Sequence, residues 1–203
     1  MSAKVAVTPV NDPPVRSAGN ASAIVVYEGS ALATAKTLGL SGYTYGVGGG
    51  ADESSSQTIV SYTITNIPSF ITLWKSGGAQ VLINNTLTLA ELQGLMYKTI
   101  AYANGVATNI SWKVTDNGGG STDTLIDNLS ITVNPINDAP VRTSAGLTPI
   151  SVSEDSANAT AVSLNLGSLA YAAGVGADEI ASQTLTYALL NVPSFINLYK
   201  PDG

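Results

Sequence analysis

The sequence predicts an all-β fold, a β-sandwich built as tandem repeats with about seven strands and one short helical turn per repeat. Three observations predict it. Short segments at 23–27, 58–64, 109–114 and 129–133 are Thr-rich and β-branched and alternate with period two, the pattern of half-buried strands. Clusters of Gly, Ser, Asn and Asp at 46–56, 75–78 and 116–121 separate them and supply the φ > 0 positions and local side-chain hydrogen bonds of turns. The chain also repeats itself: Asn11-Asp12-Pro13-Pro14-Val15-Arg16 returns as Asn137-Asp138-Ala139-Pro140-Val141-Arg142, a shift of 126 residues.

The repeat orders the elements. Val5-Ala6-Val7-Thr8-Pro9 corresponds to Ile131-Thr132-Val133-Asn134-Pro135, so residues 1–10 read as the last strand of a preceding copy. Residues 11–136 read as one complete repeat, and 137–203 as the first half of the next. Within them Glu28 meets Glu154, Tyr45 meets Tyr171, Ala51-Asp52-Glu53 meets Ala177-Asp178-Glu179, and Ser56-Gln57-Thr58 meets Ser182-Gln183-Thr184. One residue then drops out, and Asn66-Ile67-Pro68-Ser69-Phe70-Ile71 matches Asn191-Val192-Pro193-Ser194-Phe195-Ile196. The half repeat would lie disordered, borrow strands from a neighbour, or belong to a longer gene product. The last is the plainer expectation, because Met1-Ser2-Ala3-Lys4 leads into a strand rather than the apolar run of a secretory signal.

One segment departs from the strand pattern. Thr88 followed by Glu91 three residues on, with Gly94 behind, is a capping-box signature and predicts a single helical turn over 88–95. Pro68 and Pro193 follow a strand, where Pro ends it without losing a ladder bond. Trp74 and Trp112 lie in strand-like segments and read as core rather than as stacking platforms.

Composition narrows function. With no Cys and no His, disulfides, thiolate nucleophiles, imidazole bases and nearly every zinc, copper or haem site are excluded. Eight basic residues against 14 acidic ones, a formal charge of −6, leave no cationic surface for tracking phosphates, so nucleic acid is not expected as a partner. No apolar run approaches the roughly 20 residues that span a bilayer. The run Gly46-Val47-Gly48-Gly49-Gly50 lacks the Lys and helix of a phosphate loop. Sequons at Asn20, Asn84, Asn109 and Asn128 are what a Ser- and Thr-rich strand protein produces by chance.

The acids are placed with more order than solubility charge requires. Four pairs match across the repeat: Asp12 with Asp138, Glu28 with Glu154, Asp52 with Asp178, and Glu53 with Glu179. In an immunoglobulin-type sandwich, loops alternate between the two ends. A first strand over about 21–27 puts Glu28 at the bottom, beside the exit of the last strand at Asn134. The loops carrying Asp52, Glu53 and Asp116 then lie at the top. Stacking two repeats would bring Glu28, Asn137, Asp138, Asp178 and Glu179 to one junction, and carboxylates gathered there repel unless a cation neutralises them. A flexible all-oxygen set suits Ca²⁺ better than Mg²⁺, which demands stricter octahedral geometry. The alternative is that Asn-Asp before Pro makes an Asx turn and the acids form a solvated rim. Asp116-Asn117-Gly118-Gly119-Gly120 also fits an ordinary Gly-rich hairpin connection.

The linker Val133-Asn134-Pro135-Ile136-Asn137-Asp138-Ala139-Pro140-Val141, preceded by Val114-Thr115-Asp116-Asn117-Gly118-Gly119-Gly120, resembles the cadherin-like, Ig-like tandem repeats of very large bacterial surface adhesins. The similarity covers nearly the whole chain. It implies Ca²⁺ at the linkers, with ligands Asn11, Asp12, Glu28, Asp52, Glu53 and Asp116 in the full repeat and Asn137, Asp138, Glu154, Asp178 and Glu179 in the next. Glu91 resembles a further acidic position. Asn137-Asp138-Ala139 is less rich in Asp and Asn than the cadherin linker. The expected function is a non-enzymatic, extracellular, Ca²⁺-rigidified module of a bacterial cell-surface adhesin, its partners the neighbouring repeats. A self-assembling filament subunit, its half repeat completed by a strand from another chain, is the second reading. A carboxylate glycosidase is a third, and it would need an active site duplicated along a stalk.

Overall fold

A computed structural model describes residues 3–120, 123–152 and 161–200. The chain divides into two compact units, Met1–Ile136 and Asn137–Gly203.

The first unit is a β-sandwich. Its larger sheet takes β2 (Ile24–Tyr27), β5 (Ile59–Asn66), β8 (Thr86–Leu87), β10 (Gly105–Asp116) and β11 (Thr124–Asn134), in the order β2-β11-β10-β5-β8. Its second sheet takes β3 (Lys36–Thr37), β6 (Ile71–Trp74), β7 (Gln80–Val81) and β9 (Met96–Thr99), in the order β3-β9-β6-β7. β1 (Val15–Ala18) and β4 (Thr44–Gly46) pair as a separate ribbon. Along β10 the alternation Ile110, Trp112, Val114 turns one row inward, and Leu129, Ile131 and Val133 do the same on β11. The antiparallel register sets Ile110 opposite Leu129 and Val114 opposite Leu125. Leu73 of β6 and Tyr97 of β9 close the core from the other sheet. Each such fully buried side chain contributes roughly 1.5–3 kcal/mol of apolar burial.

β2 runs parallel to β11, with Ile24 opposite Ile131 and Tyr27 opposite Asn134, so the first long strand ends where the last one leaves the sandwich. The helical turn expected over 88–95 is α2 (Leu89–Gln93), and its N-cap is Thr88, whose hydroxyl accepts the Glu91 N–H while Glu91 Oε2 accepts the Thr88 N–H. Pro68 follows β5, and Trp112 is fully buried.

Two elements differ from the sequence reading. The segment 46–56 is not all turn: its second half is α1 (Ala51–Ser56). Five polar residues in six hid it from any apolar periodicity, and what stabilises it is the placement of Asp52 and Glu53 in its first turn, against the positive helix end. Val15–Ala18, to which the sequence reading assigns no strand, is β1, held to β4 with Arg16 opposite Tyr45.

The second unit carries β12 (Val141–Arg142) paired with β13 (Tyr171–Ala172), Arg142 opposite Tyr171, and then α3 (Ala177–Ser182). Residues 185–191, which match β5, form no ladder among the described residues, and Tyr187 and Leu190 are exposed. In the first unit β5 is held by β10 and β8, whose matching residues are not in the 203-residue sequence.

Candidate metal centre

At the top of the first unit, α1 presents its acids to the segment that leads into β1. Glu53 is 1% exposed. Its Oε2 accepts the Gly50 N–H at 2.9 Å and its Oε1 accepts the Asp12 N–H at 3.3 Å, so one carboxylate caps the helix and fixes the linker. A methyl group added at Gly50 would overlap Asp52 Oδ1 and Glu53 Oε2, and one at Gly49 would lie 3.0 Å from Asp12 Oδ2, so the oxygens of three acids crowd one short glycine run.

The β10–β11 connection reaches the same end. Asn117 Oδ1 accepts the Thr58 N–H at 2.7 Å, and the Asn117 N–H donates to the Thr58 carbonyl at 3.2 Å, which ties that loop to the chain leaving α1. Asp116 is 3% exposed; its Oδ1 accepts the Gly118 N–H at 2.9 Å, and its Oδ2 is buried without a hydrogen-bond partner. Gln57 Oε1 is also buried and unpartnered. The oxygens of Asn11 and Gln57 both face Gly118, where an added methyl would overlap Asn11 Oδ1 and lie 2.6 Å from Gln57 Oε1.

The second unit builds the same local arrangement from its own residues. Glu179 is fully buried, and its Oε1 accepts the Asp138 N–H at 3.2 Å. Gln183 Nε2 donates to Asn137 Oδ1 at 2.8 Å. Asp178 Oδ1 and Glu179 Oε2 are buried, carry no hydrogen bond, and converge on the space a methyl at Gly176 would fill. Gly174 lets the linker come close, since a methyl there would lie 2.7 Å from Glu179 Cγ and 3.1 Å from Asp138 Cβ.

Glu28 lies at the other end of β11 from Asp116, 5% exposed, as the loop alternation requires. Its backbone N–H donates to the Asn134 carbonyl at 2.8 Å; Oε1 accepts the Ile136 N–H and Oε2 the Asn104 side chain, both at 2.9 Å. Glu91 stands apart from these acids. Lys75 Nζ donates to its Oε1 at 2.7 Å and Thr88 to its Oε2, and the Lys75 hydrogen bond is the foremost cause holding its carboxyl below the usual range. Glu154 lies outside the described residues.

The chemistry of both clusters is uniform: carboxylate, amide and carbonyl oxygens, with no His or Cys in the sequence. The ion pairs among the described residues are Arg16–Asp127 and Lys75–Glu91, so neither cluster is neutralised by a Lys or Arg. Orphaned buried oxygens converging where glycine leaves room could hold a hard cation that takes oxygen ligands. Gln57 and Gln183 escaped the reading of the acids because a neutral amide carries no charge signal, although the repeat match of Ser56-Gln57-Thr58 marked the position. Comparison with protein-family models, curated proteins and solved structures gave no match. No helix among the described residues is long and apolar enough to cross a membrane.

Proposed function

We propose that this chain is a structural and adhesive extracellular module, a segment of a cadherin-like repeat array on a bacterial surface, rigidified by Ca²⁺ where the linkers meet the repeats. The observation that carries this reading is the pair Asp178 Oδ1 and Glu179 Oε2, buried, without partners and converging beside Gly176, next to the linker residues Asn137 and Asp138. Uncompensated buried carboxylates cost several kcal/mol each, and a divalent cation removes that cost where no Lys or Arg is available. Asp116 Oδ2 supports the same reading at the top of the first unit.

The chain's own residues supply the stiffening. Glu53 and Glu179 each hold a linker N–H with one oxygen and turn the other towards the glycine cradle. An ion bound there favours the conformation in which the linker is docked, because it binds that state and not the flexible one. Thermal unfolding of the 203-residue chain in EDTA, in millimolar Ca²⁺ and in millimolar Mg²⁺ tests this. A Ca²⁺-specific rise in Tm is expected; equal curves in all three sink it.

A second reading, a filament subunit, rests on one observation. Val5 and Val7 match Ile131 and Val133 of β11, residues 150–152 match β2, and neither segment is in a ladder among the described residues although Val5 and Val7 are 86% and 87% exposed. Strand addition between chains would pair them in the β2–β11 register. A light-scattering mass of one chain at high concentration rejects it.

A further inference from the structure

We propose that Gln57 supplies an amide oxygen to a second cation position beside Gly118, separate from the position between Asp52 and Glu53; this rests on the metal-centre reading above. Three oxygens define it. Asp116 is nine-tenths buried and more, its Oδ1 occupied by the Gly118 N–H and its Oδ2 without a partner. Gln57 Oε1 is buried without a partner and lies 2.6 Å from where a Gly118 methyl would sit, in the space that Asn11 Oδ1 shares.

A side-chain amide whose oxygen faces a space lined by other oxygens has a cheap remedy, which is to turn so that its NH₂ points inward. The second unit adopts that remedy. There Gln183 Nε2 donates to Asn137 Oδ1 at 2.8 Å. In the first unit, where Asp116 joins the set, the Gln57 oxygen faces inward instead. An amide with its oxygen turned inward beside Gly118, the residue whose N–H the buried Asp116 carboxylate accepts, is an arrangement that suits a cation and not a hydrogen-bonded amide pair. Glycine at 118 keeps the space open, and its φ is outside the left-handed region, so backbone conformation does not explain its presence.

The two positions differ in charge. The Gly50 position has the carboxylates of Asp52 and Glu53; the Gly118 position has one carboxylate and two amides. Ca²⁺ affinity follows ligand charge, so the Gly118 position fills last.

Equilibrium dialysis against Ca²⁺ with the 203-residue chain tests the assignment. Gln57→Leu is expected to lose one bound ion per chain and keep the rest, while Asp52→Ala loses a different ion, so the double variant loses both. Gln57→Glu adds a charge and is expected to tighten the weakest ion by about tenfold or more. Gln57→Leu with parental uptake, a double variant that loses no more than either single one, or Gln57→Glu with unchanged affinity overturns the proposal. Should Gln57→Leu fail to fold, the Gln57→Glu affinity decides. A parent chain that takes up no Ca²⁺ sinks the metal centre and this position together; a parent that binds Ca²⁺ with Gln57 variants unaltered sinks this position alone.

Discussion

Glu53 holds Asp12: the carboxylate of the third residue of a six-residue helix accepts the backbone N–H of a linker residue 41 positions earlier, at 3.3 Å. Glu179 holds Asp138 at the same separation in sequence and at 3.2 Å. A hydrogen bond to a charged, buried acceptor is about twice as strong as a neutral one, so main-chain capture helps to set the linker's path.

That relationship predicts hydrogen exchange. The Asp12 and Asp138 amides exchange slowly in the parent, and Glu53→Ala is expected to speed exchange at Asp12 by about tenfold or more while leaving Asp138 protected. Site-resolved exchange by NMR reads both amides in one experiment. Equal protection of Asp12 before and after the substitution would refute the capture.

Glu28 is the corresponding clamp at the other end of the first unit. Removing it leaves the Ile136 N–H and the Asn104 amide without their acceptor and opens a space beside the end of β11. Hydrogen bonds to charged groups are worth about 1.5–3 kcal/mol each, and part is regained from water, so Glu28→Ala is expected to cost about 3 kcal/mol in urea unfolding. A cost under about 1 kcal/mol would mean that solvent replaces it fully.

Tyr45 joins three groups that the sequence places far apart. Its hydroxyl donates to Asp127 Oδ2 at 2.8 Å and accepts the Trp112 Nε1–H at 2.8 Å, while Arg16 pairs with Asp127 at 3.4 Å. Burial first, and the hydrogen bond to Asp127 second, push the Tyr45 hydroxyl well above its ordinary value. The folded state therefore keeps this proton when the unfolded chain loses it, near pH 10. Stability is full below that pH and falls as pH rises beyond it, because the unfolded state then binds fewer protons. Tyr45→Phe strands the Trp112 N–H in the core, so it is expected to cost about 1–3 kcal/mol at pH 7 and to flatten the alkaline decline. Urea unfolding at pH 7, 9 and 11 checks both; an alkaline slope unchanged in the variant would show that Tyr45 does not carry it.

Much of this architecture was legible in residue order, and the limits have physical causes. β10 and β11 carry strict alternation because one face is core, and the loop-end assignment of Glu28, Glu53 and Asp116 followed from strand alternation alone. α1 was missed because Ser54, Ser55 and Ser56 give no apolar stripe; the helix exists because it is capped by Glu53 at the Gly50 N–H. β1 was missed because its four residues are all exposed and its partner β4 lies more than 25 residues on, so no local pattern marks it. The Gln57 oxygen was invisible for a different reason: its role depends on Asp116 and Gly118, which only the fold brings beside it.

The glycines distinguish backbone need from ligand space. Gly48 has φ +116°, and a methyl there would lie 2.9 Å from the Pro13 carbonyl, so Gly48→Ala is expected to cost about 1–3 kcal/mol with or without Ca²⁺. Gly50 and Gly176 are extended, at φ −110° and −79°, conformations that alanine adopts freely. Their missing side chains leave room only for the oxygens of Asp52 with Glu53 and of Asp178 with Glu179. Gly176→Ala turns aside carboxylate oxygens that hold no hydrogen bond, so in EDTA it is expected to stay within about 1 kcal/mol of the parent, whereas Gly50→Ala also displaces the Glu53 cap and is expected to cost about 0.5–2 kcal/mol there. In Ca²⁺ at a hundredfold excess over Kd, each is expected to lose the roughly 2.7 kcal/mol that such an ion supplies. Unfolding curves of the three variants in both buffers separate the cases: a loss at Gly50 or Gly176 that is equal in EDTA and in Ca²⁺ would make those glycines structural and leave the carboxylates without an ion to hold.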